Sequence, residues 1–436
     1  VRVVDLFCGA GGLSLGSMRA GMEIVGAIDS WDAAIEIYRR NIGDHVRHAD
    51  IRDVVAVAPM VMDLRPILIT GGPPCQDFST AGLRVEGERA ELMTAFAMTV
   101  AVVRPQWCLM ENVARAQKSL TWARSREILK RAGYGITEIV VDASWYGVAQ
   151  TRKRLIVVGR RDEADGFLAA EIDAARQARQ TTIRDILGED IGGQIDIHPS
   201  RYGCTADWPT DVPGRAPRTA SQSSGVSDQQ YIFVRPFGGG RGVRSIDEPA
   251  PALVRTSREP PAPGYLLNPS RLDLVPVSQV PHLSQQQTSL LQGFPKDWDW
   301  SPARRVRDID QMIANAVPVA LAEAIGRVIL ARHRGESVPA TADGFSDWLK
   351  AQGVGGQVLR NRRHALGRAR RLLGGRLYAD IGEELRALEE ANGFADLSPS
   401  TRSDLRAALR MHADWKASKK EEPVRRKAPR GHHRQV

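Results

Sequence analysis

Asp5, Asp29, Cys75 and Glu111 each stand just past a short apolar run: Val3-Val4, Ile24–Ile28, Ile67–Thr70 and Trp107–Met110. Runs of this length and composition read as buried strands. In an open parallel α/β sheet, ligands bind at the carboxyl ends of the strands. One sheet edge would then gather two carboxylates of the kind that hold a cofactor, one thiol and one further carboxylic acid. That combination points to covalent chemistry beside a nucleoside-like cofactor.

The elements that must position these groups alternate through residues 1–160. Strands are expected at 2–6, 23–28, 67–70, 106–110, 136–142 and 154–160. Helices are expected near 13–20, at 32–41 and at 89–103, where Leu92, Phe96, Thr99 and Val103 share one stripe. Such alternation implies a doubly wound α/β sheet. Residues 190–285 are rich in Gly, Pro, Ser and Asp, with short apolar runs such as Tyr231–Val234 and Ala252–Val254, and read as a smaller loop-rich domain. Met312–Leu330 reads as one apolar helix and marks the return to the first sheet. Residues 341–415 read as all-helical. Val358, Leu359, Leu366, Ala369 and Leu373 form one stripe; Leu405, Leu409, His412 and Trp415 form another. Ser398-Pro399, and Thr401 followed by Asp404, signal a helix start. The expected domains are 1–165 (catalytic), 166–300 (inserted), 301–338 (return), 339–415 (helical extension) and 416–436 (a disordered basic tail).

The chain has 436 residues, 42% of them apolar, enough for two or three cored domains. No run approaches the roughly 20 apolar residues of a membrane span. The start, V-R-V-V-D-L-F, reads as a strand rather than a secretory leader; with no initiator Met, processing or trimming is expected. Cys8, Cys75, Cys108 and Cys204 are scattered, with no C-x-x-C and no zinc-type spacing. This argues for a reducing cytoplasm and against a metal site. Net charge is +9, and residues 341–436 alone carry 20 Lys/Arg against 12 Asp/Glu. That excess suits a polyanion partner or, equally, a solvated Arg-rich helical surface.

The glycine segment at 5–16 lets backbone approach a ligand closely. Ser14 breaks the G-x-G-x-x-G pattern, which disfavours a pyrophosphate site. Asp29 suits ribose hydroxyls, or capping of helix 32–41. In G-G-P-P-C-Q-D-F-S, two prolines hold the loop extended before Cys75, which lies in polar surroundings as a reactive thiol should. Glu111 caps the segment beyond its strand or works as a proton donor.

The chain resembles the DNA (cytosine-5)-methyltransferase family. Phe7-x-Gly9-x-Gly11-Gly12 resembles its S-adenosylmethionine loop, Pro74-Cys75-Gln76 its nucleophile loop and Glu111-Asn112-Val113 its base-recognition motif. Gln150-x-Arg152-x-Arg154 resembles the motif that helps hold a flipped cytosine. Gln292-Gly293-Phe294-Pro295 and Asn315-Ala316-Val317-Pro318 resemble the motifs that close the fold. Six motifs in family order make chance a poor explanation. The resemblance implies a Rossmann-like class I methyltransferase sheet with an inserted target-recognition domain and an all-helical C-terminal extension.

It also implies roles. Cys75 is the nucleophile toward carbon 6 of cytosine, Glu111 bonds ring nitrogen 3, and Arg152 and Arg154 hold the carbonyl oxygen and nearby groups. S-adenosylmethionine is held by Phe7, Gly9, Gly11 and Gly12, with Asp29 and Ser30 at the ribose and adenine. Asp50, Ile51, Pro74, Leu92, Asn315 and Val317 complete that site. Asp5 fixes the glycine loop. Gln76 and Ser79 contact DNA, as do Arg241, in the glycine-rich loop 238–242, and Arg244 and Arg255. Arg241 fills the gap left by the flipped base or contacts the orphan guanine; a phosphate-binding glycine loop is the alternative.

The sequence departs from the family pattern at four places: Asp29 replaces a usual Glu, Ser30 a large apolar residue, Gln286-Gln287 an Arg-Glu pair, and Ala314 a Gly. Residues 341–436 match nothing in the family pattern. The implied partners are double-stranded DNA and a cognate restriction endonuclease, with the extension binding flanking DNA or a protein. The implied location is cytoplasmic and nucleoid-associated. Two other readings are a tRNA cytosine-5 methyltransferase and a catalytically silent DNA-binding regulator.

Overall fold

The computed structural model describes residues 1–74, 91–161, 163–189, 191, 230–236, 240–277, 280–336, 345–373, 378 and 380–421. The chain divides into two compact units, Val1–Asp162 with Leu168–Leu330, and Glu163–Phe167 with Ala331–Val436. The insertion expected at 166–300 falls almost wholly within the first unit.

That unit starts with β1 (Arg2–Leu6), α1 (Gly12–Arg19), β2 (Glu23–Asp29), α2 (Asp32–Asn41), β3 (Val46–His48), α3 (Val54–Asp63) and β4 (Leu68–Gly71). It continues with α4 (Glu91–Val103), β5 (Trp107–Val113), α5 (Leu120–Arg131), β6 (Tyr134–Asp142), β7 (Gln150–Thr151) and β8 (Lys153–Arg161). Seven strands form one sheet in the order β3-β2-β1-β4-β5-β8-β6. The first five run parallel, while β8 is antiparallel to both neighbours. The strands are apolar on both faces because helices cover both. Val57 and Val61 of α3, Phe96 and Val100 of α4, and Trp122 and Leu129 of α5 share one core cluster with Val4, Leu6 and Ile69.

The antiparallel β8 matters for function. Its first residues lie where the parallel strands end, with Arg154 opposite Val113 and Glu111 opposite Ile156. Arg154 and Glu111 are therefore diagonal neighbours on one face of the pair.

The described part of the insertion holds only short elements. Among its described residues are α6 (Ala169–Ala174), α7 (Ile183–Leu187), β9 (Tyr231–Phe233), β10 (Val243–Ser245), β11 (Ala250–Pro251) and α8 (Pro263–Leu267). β9 pairs antiparallel with β10, and β11 extends β7. Of the two short apolar runs, Tyr231–Val234 contains β9, and Ala252–Val254 directly follows β11. The chain then forms α9 (Gln285–Leu291), α10 (Val306–Asn315) and α11 (Val319–His333).

The single helix expected over Met312–Leu330 is two helices. Pro318 disfavours helical backbone at Val317, and Ala316 is extended at φ −57°, ψ 141°. Val306–His333 is apolar enough in composition to cross a membrane, yet it is broken at this point and mostly buried within the protein. The unexpected Gln287 closes a capping box on α9: its side chain accepts from the Ser284 N–H at 2.8 Å, and its own N–H donates to Ser284 Oγ at 3.1 Å.

The second unit holds α12 (Phe345–Ala351), α13 (Gly356–Leu372), α14 (Ile381–Glu390) and α15 (Pro399–Glu421). Its core joins Phe345, Leu366, Leu388, Leu405, Leu409 and Trp415. Val358, expected on the buried stripe of α13, is exposed. α15 runs to Glu421, past the expected end of order at 415.

α1 crosses the start of α11 with no room for a side chain at Gly16. A Cβ there would lie 2.4 Å from Ala322 Cβ and 2.6 Å from the Val319 carbonyl oxygen. Gly16→Val should destabilise the protein by about 1–3 kcal/mol. Gly264→Ala, where a Cβ meets nothing within 4 Å, should be near neutral. Urea unfolding of the two variants checks the contrast.

Candidate active site at the carboxyl edge of the sheet

β1 ends in a tight loop. Phe7, Gly9 and Gly11 all have positive φ, at 59°, 53° and 92°, and the Gly11 N–H closes the turn on the Cys8 carbonyl at 2.8 Å. Asp5 lies wholly buried beneath it, accepting from Ser14 Oγ at 2.6 Å and from Thr70 Oγ1 at 3.0 Å. It thus ties α1 and β4 to β1. Burial pushes its carboxyl up to about 6.

Asp29, at the end of β2, accepts the Gly9 N–H on one oxygen and the Trp31 N–H on the other, each at 2.8 Å. Burial raises its pKa, and these backbone donors oppose the rise. Asp29 therefore holds the glycine loop against the start of α2. A Cβ on Gly9 would meet nothing within 4 Å, so the loop borders open space.

The remaining expected cofactor residues divide. Ile51 and Val317 are buried, Phe7 and Leu92 half-buried, and Ser30, Pro74 and Asn315 exposed. Asp50 pairs with Arg52 at 2.6 Å, which holds its carboxyl below the usual range. Asn315 accepts from Gln311 at 2.7 Å. A Cβ on Gly12 would lie 2.5 Å from the Val317 carbonyl oxygen, so the α10–α11 break sits directly on the glycine loop.

Glu111 and Arg154 meet. Arg154 Nε lies 2.7 Å from Glu111 Oε1, with both side chains largely buried. Gly72 adjoins them: a Cβ there would lie 3.8 Å from Glu111 Oε2 and 3.4 Å from Val317. Asn112 donates to the Pro73 carbonyl at 3.1 Å and so anchors the strand leading to Cys75. Cys75, Gln76 and Ser79 lie outside the described residues.

Arg152 is placed elsewhere. Its guanidinium donates to the carbonyls of Leu253 at 3.0 Å and Ala314 at 2.6 Å. Residues two apart in one strand would share a face. Arg152, however, lies in the turn between β7 and β8, where its N–H donates to the Gln150 carbonyl at 2.8 Å, and its side chain leaves the Glu111 face. Gln150 shares this buried polar network. It donates to Gln292 Oε1 at 2.7 Å and to the Leu291 carbonyl at 2.9 Å, and accepts the Leu253 N–H at 3.1 Å. Gln292 in turn donates to the Ala316 carbonyl. The positioning roles of Asn112, Gln150 and Gln292 were not foreseen, although all three stand inside the quoted motifs.

In the insertion, Arg241 is ion-paired with Glu248, and Arg244 donates to the Arg241 carbonyl at 3.0 Å. Burial, then the neighbouring Arg241, lowers the Arg244 pKa. Asp273 accepts the N–H groups of Gly242 and Val243 at 3.1 and 3.0 Å, and the Tyr265 hydroxyl at 2.6 Å. The segment after Arg241 is thereby fixed. Arg255 lies 3.6 Å from Glu259 at the surface. Gly238 and Gly239 lie outside the described residues.

The raised Asp5 pKa sets a pH dependence. Below about pH 4 the carboxyl is protonated in folded and unfolded chains alike, and its contribution is fully present. As pH rises through about 6 the unfolded state gains from ionisation first, and up to ~3 kcal/mol is lost. Asp5→Asn should flatten the fall in unfolding free energy between pH 4 and 7. Equal slopes in variant and parent would show that Asp5 ionisation is not its source.

Comparison with known proteins accords with this geometry. The family model for C-5 cytosine-specific DNA methylase matches residues 1–331. Type II methyltransferase M.HgiDI of Herpetosiphon aurantiacus is 36% identical over 323 residues, covering 74% of this chain and 92% of that protein. Type II methyltransferase M.HindV of Haemophilus influenzae is 34% identical over 332 residues, covering 76% and 96%. Among solved structures, the S. pombe Dnmt2 methyltransferase shares the fold, with a TM-score of 0.54 at 18% identity over 77% of this chain and 99% of that one. The sheet edge, its glycine loop and its paired Glu and Arg thus sit within a match that spans the first 331 residues, and the chain belongs to the C-5 cytosine-specific DNA methylase family.

Proposed function

We propose that this protein methylates carbon 5 of a cytosine flipped out of a specific duplex DNA sequence, through a covalent adduct with Cys75. The observation that carries the reading is the Glu111–Arg154 pair, 2.7 Å apart at the sheet edge and beside the Gly72 backbone that leads to Cys75. A base buried in a duplex is unreachable, so the target must leave the stack.

Cys75 adds as thiolate to carbon 6, forming a C–S bond while the ring electron pair moves toward carbon 5 and nitrogen 3. Glu111 supplies a hydrogen bond or proton at nitrogen 3. Arg154 orients Glu111 and reaches the adjacent carbonyl oxygen. The residues that fit S-adenosylmethionine are the left-handed loop Phe7–Gly11, with its open side at Gly9, and Asp29 at the end of β2. Bound there, the cofactor offers a sulfonium methyl group to carbon 5. Loss of the carbon 5 proton to a base, with cleavage of the C–S bond, restores the ring and frees Cys75.

Type II relatives support a modification role in the cytoplasm, paired with a restriction endonuclease of the same specificity. The insertion would then read the sequence, with Arg241, Arg244 and Arg255 as its DNA-facing cations and Gln76 and Ser79 beside the flipped base. Release of Arg241 from Glu248 would be required for it to enter the vacated position.

Cys75→Ala should abolish transfer of labelled methyl to duplex DNA, and Glu111→Gln should slow it ~10²–10⁴-fold. Duplex DNA carrying 5-fluorocytosine at the target should give a denaturation-resistant adduct with the wild-type chain and none with Cys75→Ala. Equal labelling of RNA, or retained activity in Cys75→Ala, would defeat this reading.

A further inference from the structure

The family match ends at residue 331, and the second unit follows it. Its helix α13, G-Q-V-L-R-N-R-R-H-A-L-G-R-A-R-R-L, carries six arginines and no acidic residue. Two of the six are committed within the unit. Arg362 bonds Asp404 at 3.0 Å, and buried Arg370 pairs with Glu384. The other four, Arg360, Arg363, Arg368 and Arg371, are exposed, as is His364. Arg360 reaches only the Gln357 amide oxygen, at 2.7 Å. Arg363, Arg368 and Arg371 form no ion pair among the described residues. Elsewhere in the unit Lys350 pairs with Asp347 and half-buried Arg406 with Glu389. Arg386 and Arg410 are exposed with no ion pair among the described residues, but they are not clustered on one helix.

The unpaired cations are aligned. Positions 360, 364, 368 and 371 follow i, i+4, i+8, i+11 spacing, and so lie along one helix face with Arg363 on its border. Ala365, Leu366 and Ala369 are buried in the unit's core, which fixes this row outward. At 1.5 Å per residue the row is about 16 Å long. Between Arg360 and Arg371 the exposed residues include no aromatic or large apolar side chain, so the face lacks what a membrane-surface helix inserts. It lacks equally the aromatic anchors of a protein interface. Closely spaced guanidinium groups without acids suit a row of phosphates.

We infer that α13 is a second DNA-binding surface, which grips the sugar-phosphate backbone of duplex DNA without reading sequence, through Arg363, Arg368 and Arg371 with Arg360 at its end. The inference rests on the DNA substrate proposed above, and adds a site outside the family region.

The test uses the full chain and a fluorescein-labelled duplex that lacks any cytosine the enzyme methylates, titrated from 50 to 300 mM KCl. The triple variant Arg363→Gln, Arg368→Gln, Arg371→Gln should lower the slope of log K against log[KCl] by about 2 to 3, from ~0.9 per phosphate contact. The triple variant to Lys should keep the parental slope. All three proteins should methylate a saturating target duplex equally at low salt, which also shows that each is folded. An unchanged slope in the Gln variant overturns the proposal, as does a slope change seen with duplex RNA but not with DNA. Steep, α13-dependent DNA binding by a chain that methylates nothing would sink the proposed reaction and leave this surface standing.

Discussion

Buried polar side chains must find partners inside the protein, and one such constraint organises the first unit. Gln150 and Gln292 bond each other at 2.7 Å in the interior, and each reaches onward to backbone. Gln150 takes the N–H of Leu253 and the carbonyl of Leu291; Gln292 takes the carbonyl of Ala316. Arg152 adds the carbonyls of Leu253 and Ala314. Four segments far apart in sequence, at 150–152, 253, 291–292 and 314–316, thereby become one assembly. The break at 316–318 needs these donors, because a helix interrupted by Pro318 leaves carbonyls without intrahelical partners. Removing either glutamine side chain would strand several polar groups at once, a cost of ~1–3 kcal/mol each.

The consequences reach both sides of the site. The held turn places the Val317 carbonyl against Gly12 and the Val317 side chain beside Gly72. It therefore borders the glycine loop and the Gly72 backbone together. The same network anchors the start of β8, two residues before Arg154. Antiparallel pairing then delivers Arg154 to Glu111 across β5. A purely parallel sheet would have put the start of this strand at the opposite edge, away from every other reactive group.

The strands at the site were legible because each is short, apolar and followed by a residue of a type that can do chemistry. Glycines and prolines marked the loops for the same reason. Other features were not legible for physical reasons. The divergence of Arg152 and Arg154 comes from the turn between β7 and β8, and the spacing of the two arginines does not encode that turn. Met312–Leu330 read as continuous because its apolar content comes from both helices, while the single Pro318 breaks it. α3 and α5 are less legible because α3 is apolar nearly all round and five of the twelve residues of α5 are charged. The ion pair of Arg241 with Glu248 joins residues seven apart through β10, so only the folded loop reveals it.

The presence of Asp29 where the family pattern usually has a Glu has a structural counterpart. Both Asp29 oxygens already accept backbone N–H groups, from Gly9 and Trp31. A carboxylate has about four lone-pair sites, so two remain for other donors. The longer Glu would carry its oxygens farther from the strand end and toward the ligand. The shorter Asp keeps them at the loop, where they hold Gly9 in its left-handed turn before any ligand arrives. What the residue loses in reach it returns as preorganisation, because a loop already fixed gives up less freedom on binding. Asp5, tied to Ser14 and Thr70 beneath the same loop, acts in the same direction. The two carboxyls are thus supports of the glycine loop, Asp5 fully buried beneath it and Asp29 half-buried at the end of β2.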